Sequence, residues 1–395
     1  MEYINLGETC NIKSSKRIYQ SEYCDNGIPF YRGKEISQLQ RGEDIDVELF
    51  ISKERFRDIR EKYGVINKGD LLITSVGTIG NTWVSDGREF YYKDGNITQI
   101  EKNDSINTRF ISYLFKSDIV KRQYLRGTSG TAQVALTIEK LNNLQIPKID
   151  LRIQNKIVAV LDRAQELIDK RKAQIEALDQ LVKSQFIEMF GELKTNENNF
   201  DIVDLETLTT KITDGVHSKP DYTTKGIEFI SVKDINRGKL NFSDCKYISK
   251  EAHEIYTKRC KPEIGDILYT KVGATYGIPA IVDTDREFSL YVSVALLKLK
   301  KGIVNPIYIK EALRSIEVKR QADRQVKGIG VPDLHLIEIK KFKVFNPPIE
   351  LQNKFADFVK QVDKLKFEME KSLRELEDNF NSLMQRAFNG ELFNK

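Results

Sequence analysis

The second half of the chain restates the first, and this internal repeat constrains the fold more than any other feature of the sequence. Gly27-Ile28-Pro29-Phe30 followed by Lys34-Glu35-Ile36 recurs as Gly226-Ile227-Glu228-Phe229 followed by Lys233-Asp234-Ile235, an offset of 226 minus 27, or 199. KGDLLITSVGTIG at 68–80 is answered by IGDILYTKVGATYG at 264–277, and QIPKIDLRIQNKIV at 145–158 by FNPPIELQNKFADFV at 345–359. Three blocks in one order at near-constant spacing describe a tandem duplication with about 200 residues per copy. A chain of 395 residues also exceeds the usual ceiling for a single hydrophobic core, so two or three domains are expected.

Each copy has two parts with different periodicity. The first part mixes short β-branched and aromatic runs with Gly and Asn turn signals. LLITSVG, QIEKND and VSVALLKLK read as strands, and Thr108 to Leu125 reads as a helix. The second part is a long helix. In copy one, Ile157, Leu161, Ala164, Ile168, Arg171, Ile175, Leu178, Val182, Gln185 and Met189 step by fours and threes, a coiled-coil seam with two polar interruptions. In copy two the apolar set is Phe355, Phe358, Val362, Leu365, Met369, Leu373, Leu376, Phe380, Leu383 and Ala387, with one slip where two fours adjoin. Pro147, Pro347 and Pro348 stand ahead of these helices, and Gly191 and Gly390 stand where left-handed C-caps are expected. The predicted fold class is α+β. Residues 1–148 and 193–346 form two tandem domains, and 149–192 and 347–395 form long helices that pair as an antiparallel coiled coil.

Composition excludes several classes. An apolar fraction of 40% with 16 Tyr and 20 Phe rules out disorder, and 9 Pro with 23 Gly rules out collagen-like sequence. No run approaches the length of a membrane span, and MEYINLGETC lacks the basic and apolar regions of a signal peptide, so a cytoplasmic protein is expected. Cys10, Cys24, Cys245 and Cys260 form no CxxC pair and read as reduced thiols. A net charge of +5 is mild for a nucleic-acid binder, but 31% charged residues leave material for local basic patches.

The catalytic patterns are weak. Asn346-Pro347-Pro348-Ile349 resembles the Asn-Pro-Pro-aromatic loop of adenine-N6 methyltransferases, but Ile349 offers no π face to a flipped base. Asp333 with Glu338-Ile339-Lys340 formally matches a PD…ExK nuclease pattern, and copy one keeps Glu139-Lys140 without the PD. There is no GxxxxGK[ST] phosphate loop, and His217, His253 and His335 have no spacing that suggests a metal or a triad. IKSSKRIY at 12–19 and DGVHSKPDY at 214–222 instead interleave Lys, Arg, Ser, His and Tyr, side chains that bond phosphates and base edges. Both segments precede the repeated GI-x-F block by a similar distance.

These duplicated blocks, together with MFGEL at 189–193 and FNGEL at 388–392, resemble the specificity subunits of type I restriction–modification systems over essentially the whole chain. The chain departs from the longest members in starting directly at the first recognition domain. The resemblance implies two target-recognition domains, each reading one half of a split, asymmetric site in double-stranded DNA, with the helices fixing the gap. It implies two methyltransferase subunits and two motor-nuclease (restriction/translocase) subunits as partners, which would carry S-adenosylmethionine, ATP and Mg²⁺, and no membrane partner. The chain itself would then be non-catalytic and hold no metal. The competing readings are a stand-alone DNA adenine methyltransferase or nuclease using Asn346, or Asp333 with Glu338, and a purely structural coiled-coil scaffold.

Candidate DNA contacts in copy one are Ser14, Lys16, Arg17, Tyr31, Arg32, Ser75, Thr78, Arg126, Thr128 and Ser129. In copy two they are His217, Lys219, Tyr222, Lys233, Lys271, Tyr276 and Lys327. The helix-pairing candidates are the apolar seam residues: Ile157, Leu161, Ile168, Ile175, Leu178, Val182 and Met189 on the first helix, and Phe355, Val362, Leu365, Met369, Leu373, Leu376, Phe380 and Leu383 on the second.

Overall fold

The computed structural model describes residues 2–125, 135–236, 238–327 and 330–393. The chain is α+β and divides into two compact units, Met1–Lys172 with Ser372–Lys395, and Ala173–Lys371. Two helices of 40 residues, Leu151–Phe190 and Ile349–Phe388, each give one half to one unit and the other half to the other. At 1.5 Å per residue each is roughly 60 Å long.

Unit 1 is built on an antiparallel sheet whose strands run in the order Ile12–Ser14, Ile97–Ile100, Leu71–Thr74, Thr82–Val84. A second sheet follows the order Tyr23–Cys24, Phe50–Ile51, Ile28–Tyr31, Tyr91–Tyr92, with its last pair parallel. Unit 2 repeats this plan. Its main sheet runs Thr209–Asp214, Val294–Leu299, Ile267–Thr270, Pro279–Ile281, and its second sheet Lys246–Ile248, Ile227–Ile230, Phe288–Leu290, again with the last pair parallel. The repeated glycine of GI-x-F has one explanation in both units. A Cβ on Gly27 would lie 2.2 Å from the Ile51 carbonyl oxygen, and one on Gly226 2.2 Å from that of Ile248. Only glycine lets the two backbones approach so closely.

The segment 108–125 is two helices, not the single one its periodicity suggests: Thr108–Lys116 and Asp118–Leu125. Ser117 between them is extended, with its hydroxyl bonded back to the Leu114 carbonyl at 2.6 Å. Ser315 makes the same break in unit 2 and caps the following helix through Val318 N at 3.3 Å. Serine competes for backbone groups in this way at helix ends.

The Gln-Asn pair repeated at the head of each long helix ties that helix to its sheet domain. Gln154 Oε1 accepts from Asn107 N at 2.9 Å, its Nε2 donates to the Ile149 carbonyl at 2.8 Å, and Asn107 Nδ2 donates to Asn155 Oδ1 at 2.7 Å. In unit 2, Gln352 Oε1 accepts from Asn305 N at 2.9 Å, Gln352 Nε2 donates to the Pro347 carbonyl at 2.8 Å, and Asn305 Nδ2 donates to Asn353 Oδ1 at 2.8 Å. These three bonds recur in both copies, and Gln352 Nε2 adds a longer one to the Ile303 carbonyl at 3.2 Å.

Within each unit the two long helices meet with opposite polarity. In unit 1 the first half of one, through Ile157, Leu161 and Ile168, shares a core with the second half of the other, through Phe380, Met384, Ala387 and Phe388. In unit 2, Val182, Phe186 and Phe190 share a core with Phe355, Val359 and Val362. The phenylalanine that ends each helix, Phe190 or Phe388, is consequently buried with the other copy's sheet domain. Phe190 lies 4.8 Å from the Tyr308 ring and Phe388 5.4 Å from the Phe110 ring. The left-handed glycines follow as expected, Gly191 at φ 76° and Gly390 at φ 75°.

Ile175, Leu178, Met189, Met369, Leu373, Leu376 and Leu383 are half-buried, as a seam position should be. Leu365 is a correction, because it is 54% exposed. Its place is taken by Lys366, whose Nζ bonds Asp179 Oδ1 of the first helix at 2.6 Å. With Val359 and Lys366 in the seam, the steps from Phe355 to Ala387 alternate fours and threes without interruption. The slip inferred from apolar letters alone is absent, so nothing unwinds the helix there.

Candidate nucleic-acid interface

The same node of the main sheet carries different chemistry in the two units. Ser14 ends its strand opposite Thr98, and Asp214 ends the matching strand opposite Ala295. In unit 1 the surrounding groups are neutral hydroxyls: Ser75 Oγ lies 2.7 Å from Thr98 Oγ1, and Ser14 Oγ accepts from Gly95 N at 3.3 Å. In unit 2 the position matching Ser75 is Lys271, and its Nζ lies 3.6 Å from Asp214 Oδ2 and 3.5 Å from Asp333 Oδ1. Asp214, with a side chain only 4% exposed, also meets Arg259 Nη2 at 3.1 Å and His217 Nε2 at 3.3 Å. Arg259 Nη2 donates further to the carbonyls of Asp214 at 2.8 Å and Gly215 at 2.6 Å. Of these groups, His217 and Arg259 border an open groove of about 470 Å³, lined also by Gly215, Val216, Ser218 and Tyr256 among others. Cys260 also lines it, and burial pushes that thiol up to about 12, which leaves it inert.

Three residues expected at a DNA surface are interior. Tyr31 is 2% exposed and stacked on Phe90 at 4.4 Å, because its strand is covered on both faces. Ser75 is 3% exposed within its hydroxyl pair, and Lys271 is 5% exposed between its two carboxylates. None of the three reaches a ligand at the surface in this arrangement. Arg126, Thr128 and Ser129 lie outside the described residues.

The remaining candidates are at or near the surface. Arg17 is 66% exposed in its side chain and holds Asp94 Oδ2 through Nε at 2.8 Å. Asp94 in turn raises the Arg17 pKa, so the guanidinium stays charged. Lys16 is exposed, with its amine 5.4 Å from the centre of the Tyr63 ring. Arg32 is half-buried and divided between Glu35 and Glu48, each at 2.8 Å. Ser14, Thr78, His217, Lys219, Lys233 and Lys327 are exposed. Tyr222 is exposed beneath the Lys246 amine at 4.1 Å, and Tyr276 is half-buried with its hydroxyl on Asp323 at 2.5 Å.

Sequence reasoning missed Asp94, Asp214 and Arg259. Aligning the two copies carried a signal for Asp214: serine becomes aspartate at 14/214 while serine becomes lysine at 75/271, and opposite charges that arise together mark neighbours.

The catalytic patterns are engaged elsewhere. Asn346 donates its backbone N–H to the Asp201 carbonyl at 2.9 Å, and the Pro347 carbonyl is occupied by Gln352 Nε2 at 2.8 Å, so this loop serves the start of the helix. Asp333 lies beside Lys271 at 3.5 Å, whereas Glu338 lies 4.0 Å from Lys327. Among the described residues no helix is long and apolar enough to cross a membrane.

Fold and surface together define a duplicated α+β protein with two long shared helices and one polar sheet end per unit. Residues 1–178 match the family model for the type I restriction modification DNA specificity domain. The chain is 27% identical to the type I restriction enzyme EcoBI specificity subunit of Escherichia coli, over 98% of this chain and 85% of that one. A Haemophilus influenzae protein named for the same class is 32% identical over 166 residues, which span 42% of this chain and 40% of that relative. The fold is shared with a chain of a type I restriction–modification system solved for its complex assembly and conformational transition, at a TM-score of 0.59 and 18% identity over 99% and 98% of the two chains. It is likewise shared with the type I S subunit from M. genitalium, at a TM-score of 0.53 and 14% identity over 98% and 96%.

Proposed function

We propose that the chain reads a bipartite, asymmetric sequence in double-stranded DNA, with one half-site for the sheet domain of each unit. The paired helices set the spacer and dock two methyltransferase subunits, and two restriction/translocase subunits complete the cleaving enzyme. The observation that carries this reading is the contrast between the units. Their framework is repeated down to the Gln154 and Gln352 hydrogen bonds, while the polar residues at the matching sheet ends differ. A shared frame presenting unlike donors suits two readers of unlike sequences, and a duplicated frame suits two identical partners. Exposed Lys16, Lys219, Lys233, Lys327, Ser14 and Thr78 would then serve as phosphate or base contacts. Methyl transfer, ATP-driven movement and cleavage, with S-adenosylmethionine, ATP and Mg²⁺, belong to the partners.

The test is biochemical. The purified chain should bind no S-adenosylmethionine and methylate no DNA until a methyltransferase partner is added. Methyl transfer by the isolated chain, abolished by Asn346→Ala, would establish the stand-alone methyltransferase instead.

A further inference from the structure

The two units share a device at the residue three positions beyond the end of the first strand of the main sheet. After Ser14 this residue is Arg17, and after Asp214 it is His217. Each is well exposed, and each is held by a carboxylate that is largely buried: Asp94, 16% exposed, for Arg17, and Asp214, 4% exposed, for His217. In unit 2 the same carboxylate also holds Arg259, whose side chain is 53% exposed. Among the described residues, the Nη groups of Arg17 and the Nε and Nη1 of Arg259 take no hydrogen bond.

Such an arrangement is poorly suited to attracting phosphates. Arg17 with Asp94 is formally neutral, and so are Arg259 and Lys271 taken with Asp214 and Asp333, so the carboxylates cancel the charge that phosphate binding exploits. It is well suited to direction. A guanidinium held by a carboxylate through one nitrogen presents its remaining donors at a set angle, with much of its rotamer freedom already lost. We propose that Arg17 in unit 1 and Arg259 in unit 2 are base-reading donors of the two half-sites, positioned before DNA arrives by Asp94 and Asp214, and that His217, with Nε2 on Asp214, stands beside Arg259 in unit 2. Arg17, with Nη1 and Nη2 both open, suits the acceptor pair O6 and N7 of guanine in the major groove, whereas Arg259, with Nη2 engaged, offers Nε and Nη1 as single donors to base acceptors. Lys271 is a positioning residue, because its buried amine braces Asp214 from behind. This inference rests on the reading of each unit as a DNA reader.

The test uses the complete modification complex and methylome sequencing, which reports both half-sites and the gap at once. Arg17→Ala should make one base of a single half-site degenerate, with discrimination there falling about tenfold or more, and leave the other half intact. Arg259→Ala should do the same in the opposite half. Arg17→Lys keeps the charge but loses the fork, and Arg259→Lys keeps the charge but loses the planar donors held at a set angle, so each should relax the same position as its alanine variant, and a thermal melt confirms folding of each exposed substitution. Asp214→Asn should relax the base that Arg259→Ala relaxes; a purely structural role would slow methylation at every site and leave the motif unchanged. An unchanged motif with uniformly slower methylation in the Arg→Ala variants would make these residues phosphate contacts, and an unchanged motif at an unchanged rate would remove them from the interface. Either result overturns the proposal. A variant in one unit that alters both half-sites would instead overturn the two-reader division itself.

Discussion

At the head of each long helix a buried glutamine closes hydrogen bonds that no apolar residue of its size can replace. Gln154→Leu leaves the Asn107 N–H and the Ile149 carbonyl without their partner, and Gln352→Leu does the same to Asn305 and Pro347. Each should destabilise its own unit by about 1–3 kcal/mol, the cost of orphaning a buried polar group. Urea unfolding followed by hydrogen exchange at Asn107 and Asn305 checks this, and an unchanged midpoint with protected amides would contradict it. The QN motif was visible as a repeat, but its role was not, because its partners lie 47 residues away in each copy. The same distance problem limited the site. The exposure of Arg17 and His217 was legible because charge and turn context mark surface residues. Tyr31, Ser75 and Lys271 were misread because residue type does not report depth: a lysine goes inside when carboxylates are waiting for it, and only the fold shows them. Arg259 was missed because it joins Asp214 from 45 residues away.

The helices are the element at which sequence reasoning worked best, and it erred at two seam positions, where Val359 and Lys366 stand in place of Phe358 and Leu365. Their existence, polarity breaks and C-caps followed from period and punctuation, since 3.6-residue periodicity over ten turns leaves little freedom. The second error came from preferring Leu365 to Lys366: apolar letters mark the seam only on average, and a lysine whose amine finds Asp179 can occupy it. Two substitutions separate the alternatives. Leu365→Glu, at an exposed position, should change stability by no more than about 0.5 kcal/mol, whereas Val362→Glu, which buries a charge in the unit 2 core, should cost on the order of 3 kcal/mol or more. Equal losses in denaturant titrations would return Leu365 to the seam. The spacer reading is tested on the same element. Seven residues added after Ala173 and seven after Lys371 keep the heptad phase of both helices and lengthen each by roughly 10 Å, or about three base-pair steps. The gap between methylated half-sites should widen by that amount; an active variant with an unchanged gap would show that the helices do not set it.

For the whole molecule, duplication explains both what is repeated and what is not. Two copies that exchange helix ends each complete the other's core, as Phe190 does beside Tyr308 and Phe388 beside Phe110. This is why the compact units cut across the sequence repeats: each joins one copy's sheet domain to helix segments from both copies. Sequence alone reveals the repeat but not this exchange, because nothing in a heptad names its partner. The exchange preserves a common frame while leaving the sheet ends free to diverge, and the central claim is that each divergent end reads its own half of one DNA site. The most direct measurement is methylome sequencing after residues 1 to about 145 are replaced by those of a relative of different specificity, within the complete modification complex. One half of the methylated motif should change while the other half and the gap stay as they were. A change in both halves, or in neither, would contradict the claim.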